Sequence, residues 1–443
     1  MPEINFEEIA ELIKKGQRAK ARKLVSEVSI NEAAKIINDL PRLDKFWFFS
    51  ILGPKKGADV ILELNDEARE ELIELLSGKK LARVASEMNS DDATDFLEEL
   101  PDEKSEMVLE TMDEEGAEEV KKLMSYPPES AGGLMQKEYI AVLESDKIKD
   151  AVRKIKRDVE KAGDLHNIFV VDTTNVLVGI LPVRKLILFP TETEISKIMD
   201  KDLISVMASK DQEEVAKIFK EHDLISIPVI NEELHLVGKI TVDDIVEVIE
   251  EESSEDLFRI LGLGGEVKVS DSVGSMVRKR APWLVLNLVT AFLGAAIVAL
   301  FQDTIQSFVF LAVFLPVVAA IGGTSGNQTV AIIVRALALD EIDFKNVRKV
   351  LFRQVMTGLI NGVLVGFITG IVAFYFWSNF KLGLVIMVAM IGNIAISGLL
   401  GGLVPLTLRR LNVDPALASS QFITMFTDSL GFLFLLGLAA AIF

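Results

Sequence analysis

Apolar and polar positions follow three rhythms along the chain, and each predicts a different kind of element. In NEAAKIINDLP (31–41) the apolar residues fall at helical spacing, and DDATDFLEELP (91–101) repeats that pattern sixty residues later. Ala33 matches Ala93, Leu40 matches Leu100, Pro41 matches Pro101, and proline ends each unit. Helical repeats of this kind stack their apolar faces into a small superhelix. The rhythm then shortens. NIFVVDTTNVLVGILPVRKLI (167–187) aligns with SIPVINEELHLVGKITVDDIV (226–246) at an offset of 59. Both read as strand, turn, strand and helix, each preceded by a helix such as Asp211–Glu221. Beyond about residue 281 polar positions become sparse. Hydropathy predicts membrane spans near 281–302, 304–334, 350–377, 382–408 and 416–442. About 20 apolar residues at 1.5 Å rise suffice to cross ~30 Å of hydrocarbon. The second stretch exceeds that need and is expected to be tilted or broken.

Charge sharpens the division. Residues 1–280 carry 60 Asp+Glu against 39 Lys+Arg, whereas residues 281–443 carry 6 acids and 8 bases. The first part reads as soluble and acidic, which argues against nucleic acid as a partner. The opening MPEINFEEIAELIKKG is amphipathic and charged, unlike a secretory leader, so the acidic part is expected in the cytoplasm. Bases gather at alternate span ends. Arg278, Lys279 and Arg280 precede the first span. Arg335, Lys345, Arg348, Lys349 and Arg353 separate the second from the third, and Arg409 and Arg410 follow the fourth. This bias places the N-terminus in the cytoplasm and the C-terminus outside a plasma (inner) membrane. The chain has no cysteine, which excludes disulfides and thiolate metal sites.

Some residues stand out against these rhythms. Gly358, Gly362, Gly366 and Gly370 recur every four residues, a row on one helix face that either packs against a second helix or lines a pore with backbone. Asp428 is the sole charge in FITMFTDSLGFLFLLGLAAAIF (422–443). A carboxylate at mid-bilayer costs at least ~2.5 kcal/mol, so it faces either a buried polar neighbour or a watery path. Glu247, Glu251 and Glu255 stack at four-residue intervals within a run that includes Asp243, Asp244, Glu250, Glu252 and Asp256. Such a ladder is either a solvated face, at a few tenths of a kcal/mol per like-charged pair, or a cation site. His166, His222 and His235 are scattered near strand ends and are not expected to be ligands. No acid–base pair, phosphate-binding loop or histidine cluster marks the membrane half, so no enzyme activity is expected.

The strand–helix pair resembles tandem CBS domains, modules that often sense nucleotides or ions. In that family a Gly…Thr/Ser-x-x-Asp signature contacts an adenosine ligand. The second copy keeps it in GKITVDD, with Thr241 and Asp244, while the first has Pro182 and Lys185 at those places. A site for ATP or a related ligand would rest on one half, the alternative being a purely structural module.

The order of helical repeat, CBS pair, acidic helix and five spans resembles the MgtE family of magnesium transporters. YPPESAGGLM (126–135), GKITVDDIVEVIEEESSEDLFRILG (238–262), GGTSGNQ (322–328) and DPALASSQFITMFTD (414–428) carry the similarity in the family's order. Thr324, Gln421 and Met425 depart from residues common there. The resemblance implies a multidomain fold: an α-helical superhelical N domain at 1–130, α/β CBS domains at 131–190 and 191–245, an acidic plug helix and connector at 246–280, and an all-α five-helix transmembrane domain at 281–443. It implies a homodimer in lipid that passes Mg²⁺, with Asp428 at the pore and Asn327, Gln328, Ser420 and Thr424 as partners for the ion's water. It also implies a Mg²⁺ sensor formed by Asp91, Asp95, Glu213, Asp223, Asp244, Glu247, Glu252, Glu255 and Asp256, which shuts the pore when internal Mg²⁺ is high. A divalent-cation exchanger coupled to protons or sodium, with Asp428 as carrier, is the competing expectation.

Overall fold

A computed structural model describes residues 20, 24–25, 28–158, 165–263, 267, 269, 271–339, 341–342, 346–417 and 419–443. The opening sixteen residues and Lys345, used above for location and charge bias, lie outside them. The chain divides into two compact bodies, Met1–Glu250 and Glu251–Phe443.

From residue 30 the described residues of the first body form eight short helices: α1 (Ile30–Asp39), α2 (Arg42–Leu52), α3 (Pro54–Leu62), α4 (Asp66–Leu75), α5 (Gly78–Ala85), α6 (Ser90–Glu98), α7 (Asp102–Thr111) and α8 (Glu114–Leu123). Local chemistry sets where they start. Ser29 and Glu32 form a reciprocal capping box at α1, Asn65 caps α4 through the Ala68 amide, and Asp113 caps α8 through Gly116. The sixty-residue repeat corresponds to α1 and α6. Pro41 and Pro101 stand just before α2 and α7, where a missing N–H costs nothing. Ala33, Ile36, Ile37 and Leu40, with their counterparts Ala93, Phe96, Leu97 and Leu100, lie in one continuous core.

The CBS pair follows as β1 (Ala141–Leu143), α9 (Ile148–Asp158), β2 (Asn167–Val171), β3 (Leu177–Pro182), the short α10 (Lys185–Leu188), β4 (Val206–Met207), α11 (Gln212–His222), β5 (Ser226–Ile230) and β6 (Leu236–Thr241). Each copy builds a three-stranded sheet in which the first strand runs parallel and the third antiparallel to the central one. The 59-residue offset holds to fine detail. Asn167 pairs with Pro182 as Ser226 pairs with Thr241, and the register shifts at Val170/Val171 and again at Val229/Ile230. The turns match as well. Asp172 accepts from the amides of Thr174 and Val176, and Asn231 from those of Glu233 and His235. Asn175 (φ 67°) and Leu234 (φ 64°) both take the left-handed conformation between those amides. For a leucine that conformation is costly and persists because the turn's hydrogen bonds over-determine it. The helix expected at Asp211–Glu221 is α11, with Asp211 outside it as the cap that accepts from Glu213 N–H at 2.9 Å.

α12 (Val242–Ile260) starts in the first body and ends in the second. The second body continues with α13 (Val273–Leu300), α14 (Gln302–Ser307), α15 (Leu311–Ala338), α16 (Val347–Trp377), α17 (Phe380–Arg410) and α18 (Ser419–Ile442). Five of these are long and apolar enough to cross a membrane. The first begins earlier than hydropathy predicts: Arg278, Lys279 and Arg280 sit inside α13, because charge ends the lipid-facing stretch without ending the helix. The over-long second span is indeed broken, since α14 stops at Ser307 and α15 restarts at Leu311 with Pro316 inside it.

α17 is the central helix, with 56% of its apolar window buried against 11% for α13. The glycine row of α16 faces it. A Cβ at Gly358 would sit 2.7 Å from the Ile394 carbonyl oxygen, one at Gly366 2.8 Å from that of Met387, and one at Gly370 2.8 Å from that of Gly383. Of the two readings of the row, helix packing is the one the structure supports. Asn393, fully buried in α17, donates Nδ2–H to the Val318 carbonyl of α15 at 3.0 Å.

Candidate functional site: an acidic junction and a polar helix face

Two groups of residues carry candidate chemistry. In the first body, the start of α6 meets the segment before β1 and the start of α12. Ser90 N–H and Oγ–H donate to the two oxygens of Glu138 at 3.1 and 2.8 Å, and Lys137 N–H donates to Ser90 Oγ at 2.7 Å. Gln136 Nε2–H donates to Asp91 Oδ2 at 3.0 Å, while its backbone exchanges two hydrogen bonds with Lys239 of β6. Asp91 is only 6% exposed. Helical repeat and CBS pair are thereby joined around a carboxylate.

Other carboxylates crowd the same place. Burial pushes Asp91 well above the usual range, and Asp244, Asp92 and Glu138 push it further. Asp92 is raised to about 7, first by burial and then by Asp244 and Glu247. Asp244 is raised to about 6 by burial, partly offset by hydrogen bonds from Thr241. Glu247, whose outer edge is open to solvent, is raised by partial covering and by Asp243 and Glu63. The buried Lys239 is a cation set among them. Several like charges held this close disfavour one another and make the junction receptive to a cation. Among the described residues no three carboxylate or imidazole groups converge as a set that could hold a metal ion. A Mg²⁺ ion that keeps several waters needs one or two carboxylates, which this donor set provides.

Of the residues implied as sensor ligands, the junction unites Asp91, Asp244 and Glu247. Asp95 lies one turn along α6 with an exposed side chain. Glu213 pairs with Lys217 at 2.9 Å, and Asp223 forms the left-handed end of α11 (φ 50°). Glu252, Glu255 and Asp256 lie half-buried on the second-body part of α12, where Glu255 pairs with Arg259. Asp92 and Glu138 belong to the cluster although no sequence pattern singled them out.

Thr241 and Asp244 have a local role of their own. Thr241 N–H and Oγ–H both donate to Asp244 Oδ2, at 3.0 and 2.9 Å, closing the first turn of α12. Beside them opens a cavity of about 480 Å³ whose walls include Tyr139, His166, Asn167, Ile225, Lys239 and Thr241. In the first CBS copy, Lys185 instead bonds Asp200 and the Ile198 carbonyl, so an internal ion pair replaces the signature.

In the second body, Ser420, Thr424 and Asp428 recur every four residues and share one face of α18. Ser420 Oγ–H donates to Asn327 Oδ1 of α15 at 3.3 Å, and Thr424 Oγ–H donates back to the Ser420 carbonyl at 2.9 Å. The neighbouring face fixes the orientation: Ile423 and Thr427 are fully buried, Ile423 against Gly326 and Thr427 beside Gly323. Asp428 and Asn327 are half-buried and Gln328 is exposed. Thr324 satisfies its hydroxyl on the Ala320 carbonyl of its own helix at 2.7 Å.

Comparisons with known proteins cover all of these parts. Residues 315–438 match a family described as MgtE, divalent cation transporter, residues 28–129 match the MgtE intracellular N domain, and residues 131–191 and 195–251 match the CBS domain. A protein named magnesium transporter MgtE from Enterococcus faecalis is 35% identical over 428 residues, covering 96% of this chain and 94% of its own. One of the same name from Thermus thermophilus is 34% identical, covering 72% of each. Among solved structures, the soluble part of a magnesium transporter aligns at TM-score 0.52 and 30% identity, over 56% of this chain and 98% of its own. The cytosolic domain of the Mg²⁺ channel MgtE in complex with ATP aligns at TM-score 0.52 and 30% identity, over 54% and 98%.

Proposed function

The chain belongs to the MgtE family of divalent cation transporters, and from that premise we propose that it is a Mg²⁺ channel gated by the Mg²⁺ concentration on its N-terminal side. The observation that carries the gating is the acidic junction at Asp91, Asp92 and Asp244. Two carboxylates ~4 Å apart repel by about 4 kcal/mol at an effective dielectric of 20, and a bridging divalent ion reverses the sign. High Mg²⁺ therefore favours the joined form of helical repeat and CBS pair, and low Mg²⁺ lets them part. Asp95, Glu213, Asp223, Glu247, Glu252, Glu255 and Asp256 extend the sensor along the same elements. Only differential binding to the two forms can drive such a change, and α12, which starts at the junction, is the helix that precedes the spans along the chain.

For the cargo, Asp428 supplies the charge, while Ser420, Thr424, Asn327 and Gln328 offer oxygens and amides to the water shell. In a homodimer two copies of Asp428 face one another, comparable to an acidic ring in a cation pore. Mg²⁺ enters the cell down the membrane potential, with the N-terminus in the cytoplasm and the C-terminus outside. The working parts are residues 1–130, the CBS copies at 131–190 and 191–245, the plug segment 246–280 and the pore domain 281–443. An adenosine ligand such as ATP occupies the cavity beside Thr241, a reading supported by the ATP complex of the related cytosolic domain. Mg²⁺ flux into liposomes, measured for wild type and Asp428→Ala with internal Mg²⁺ varied, tests the proposal. Flux is expected to need Asp428 and to fall as internal Mg²⁺ rises; flux indifferent to both would overturn it.

A further inference from the structure

The end of α12 is keyed to the start of α18 by three contacts within the second body. Arg259 forms an ion pair with Asp414, in the turn that leads into α18, and a second one with Glu255 a turn back on its own helix. Ile260 packs against the apolar cluster of Val330, Val334, Ala416 and Ile423. Gly262 then ends the helix in the left-handed conformation (φ 75°), with Leu263 N–H returning to the Phe258 carbonyl at 2.9 Å. A Cβ at Gly262 would collide with the Gln421 side-chain amide, so glycine is required both by the backbone and by the neighbour. Gln421 is itself buried and its Oε1 finds no partner. That residue departs from the family pattern, and this contact gives it a place.

We propose that Arg259 and Asp414 form a clutch that transmits the state of α12 to α18, the helix that carries Ser420, Thr424 and Asp428, with Gly262 and Gln421 as its steric seat. The inference rests on the sensor reading above. Arg259 also faces Glu255, one of the sensor carboxylates, so the guanidinium and a divalent ion compete for the same side chain. Cation binding at Glu255 releases Arg259 to commit fully to Asp414. Arg259 and Asp414 are positioning residues, since neither touches the cargo.

The test uses full-length protein in liposomes, measuring Mg²⁺ influx against internal Mg²⁺, with hydrogen exchange at the Ser90–Lys137 junction on the same preparations. For Arg259→Ala and Asp414→Asn, the internal Mg²⁺ giving half inhibition is expected to rise at least tenfold. Influx at low internal Mg²⁺ and the Mg²⁺-dependent protection at the junction should match wild type. The charge-reversed double variant Arg259→Asp/Asp414→Arg is expected to recover inhibition to within threefold of wild type. Inhibition unchanged in the single variants, or unrecovered in the reversed pair, overturns the clutch while junction protection leaves the sensor standing. Absence of both inhibition and Mg²⁺-dependent protection in wild type overturns the sensor reading itself, and the clutch with it.

Discussion

Asp92 offers a signed test of the acidic junction, because it shares the cluster without a hydrogen bond that ties its carboxylate across it. In the joined form its carboxyl is raised from 3.8 to about 7, chiefly by burial and then by Asp244 and Glu247. Each pKa unit is 1.36 kcal/mol, so at pH 7 the charge costs the joined form about 4 kcal/mol relative to an open one with an ordinary carboxyl. Asp92→Asn removes that cost while keeping the shape. If a third of it is realised, the Mg²⁺ needed for joining falls about tenfold. The sign of the pH effect follows from the same shift. A carboxyl raised in the joined form favours that form fully below its ordinary pKa, and the advantage is lost as pH rises through about 7. Without divalent ions, the full Asp92 shift should by itself strengthen joining about tenfold from pH 8 to pH 6, in addition to the response of Asp91 and Asp244, which are raised in the same cluster, and Asp92→Asn should lose that tenfold share. Hydrogen exchange at Lys137 N–H, which donates to Ser90 Oγ across the junction, reports the joined population directly. A variant that needs more Mg²⁺ than wild type, or that keeps the full pH response, would refute the reasoning and make Asp92 a ligand the ion requires.

Other outcomes follow from the same geometry. Asp91→Ala loses both charge and the bond from Gln136, so flux is expected to persist at internal Mg²⁺ that shuts wild type, and the junction's protease protection should no longer depend on Mg²⁺. Gly362→Ala places a Cβ 3.0 Å from the Ile391 Cα and should cost about 1–3 kcal/mol, read as lowered thermal stability in detergent. Thr241→Ala removes the hydroxyl that bonds Asp244 and lines the cavity, so ATP binding by calorimetry should weaken at least tenfold if the ligand sits there.

Much of the architecture was legible because it repeats. The offsets of 60 and 59 predicted the two kinds of module, and the second persists down to matched turn residues at Asn175 and Leu234. The glycine spacing in α16 gave a face whose packing role the backbone distances then decided. Asp92 was harder to see. SDDATD offers three acids on one helix, and only docking against Gln136 and Glu138 selects which of them are buried. Glu138 lies in an irregular segment with no periodicity to flag it. Arg259 and Asp414 are 155 residues apart, a separation at which side-chain pairing leaves no local trace. The start of α13 was missed because hydropathy measures what lipid tolerates, and a helix continues through Arg278–Arg280 regardless.

The glycine row also constrains how the spans can move. From Gly358 to Gly370 the backbones of α16 and α17 touch along roughly 18 Å, at 1.5 Å per residue. The glycines bring no side chain of their own to this seam, so sliding would drive their α-carbons into the carbonyls and β-carbons of α17. The pair therefore travels as a single plank, and α13, with 11% of its apolar window buried, is the span least held by its neighbours.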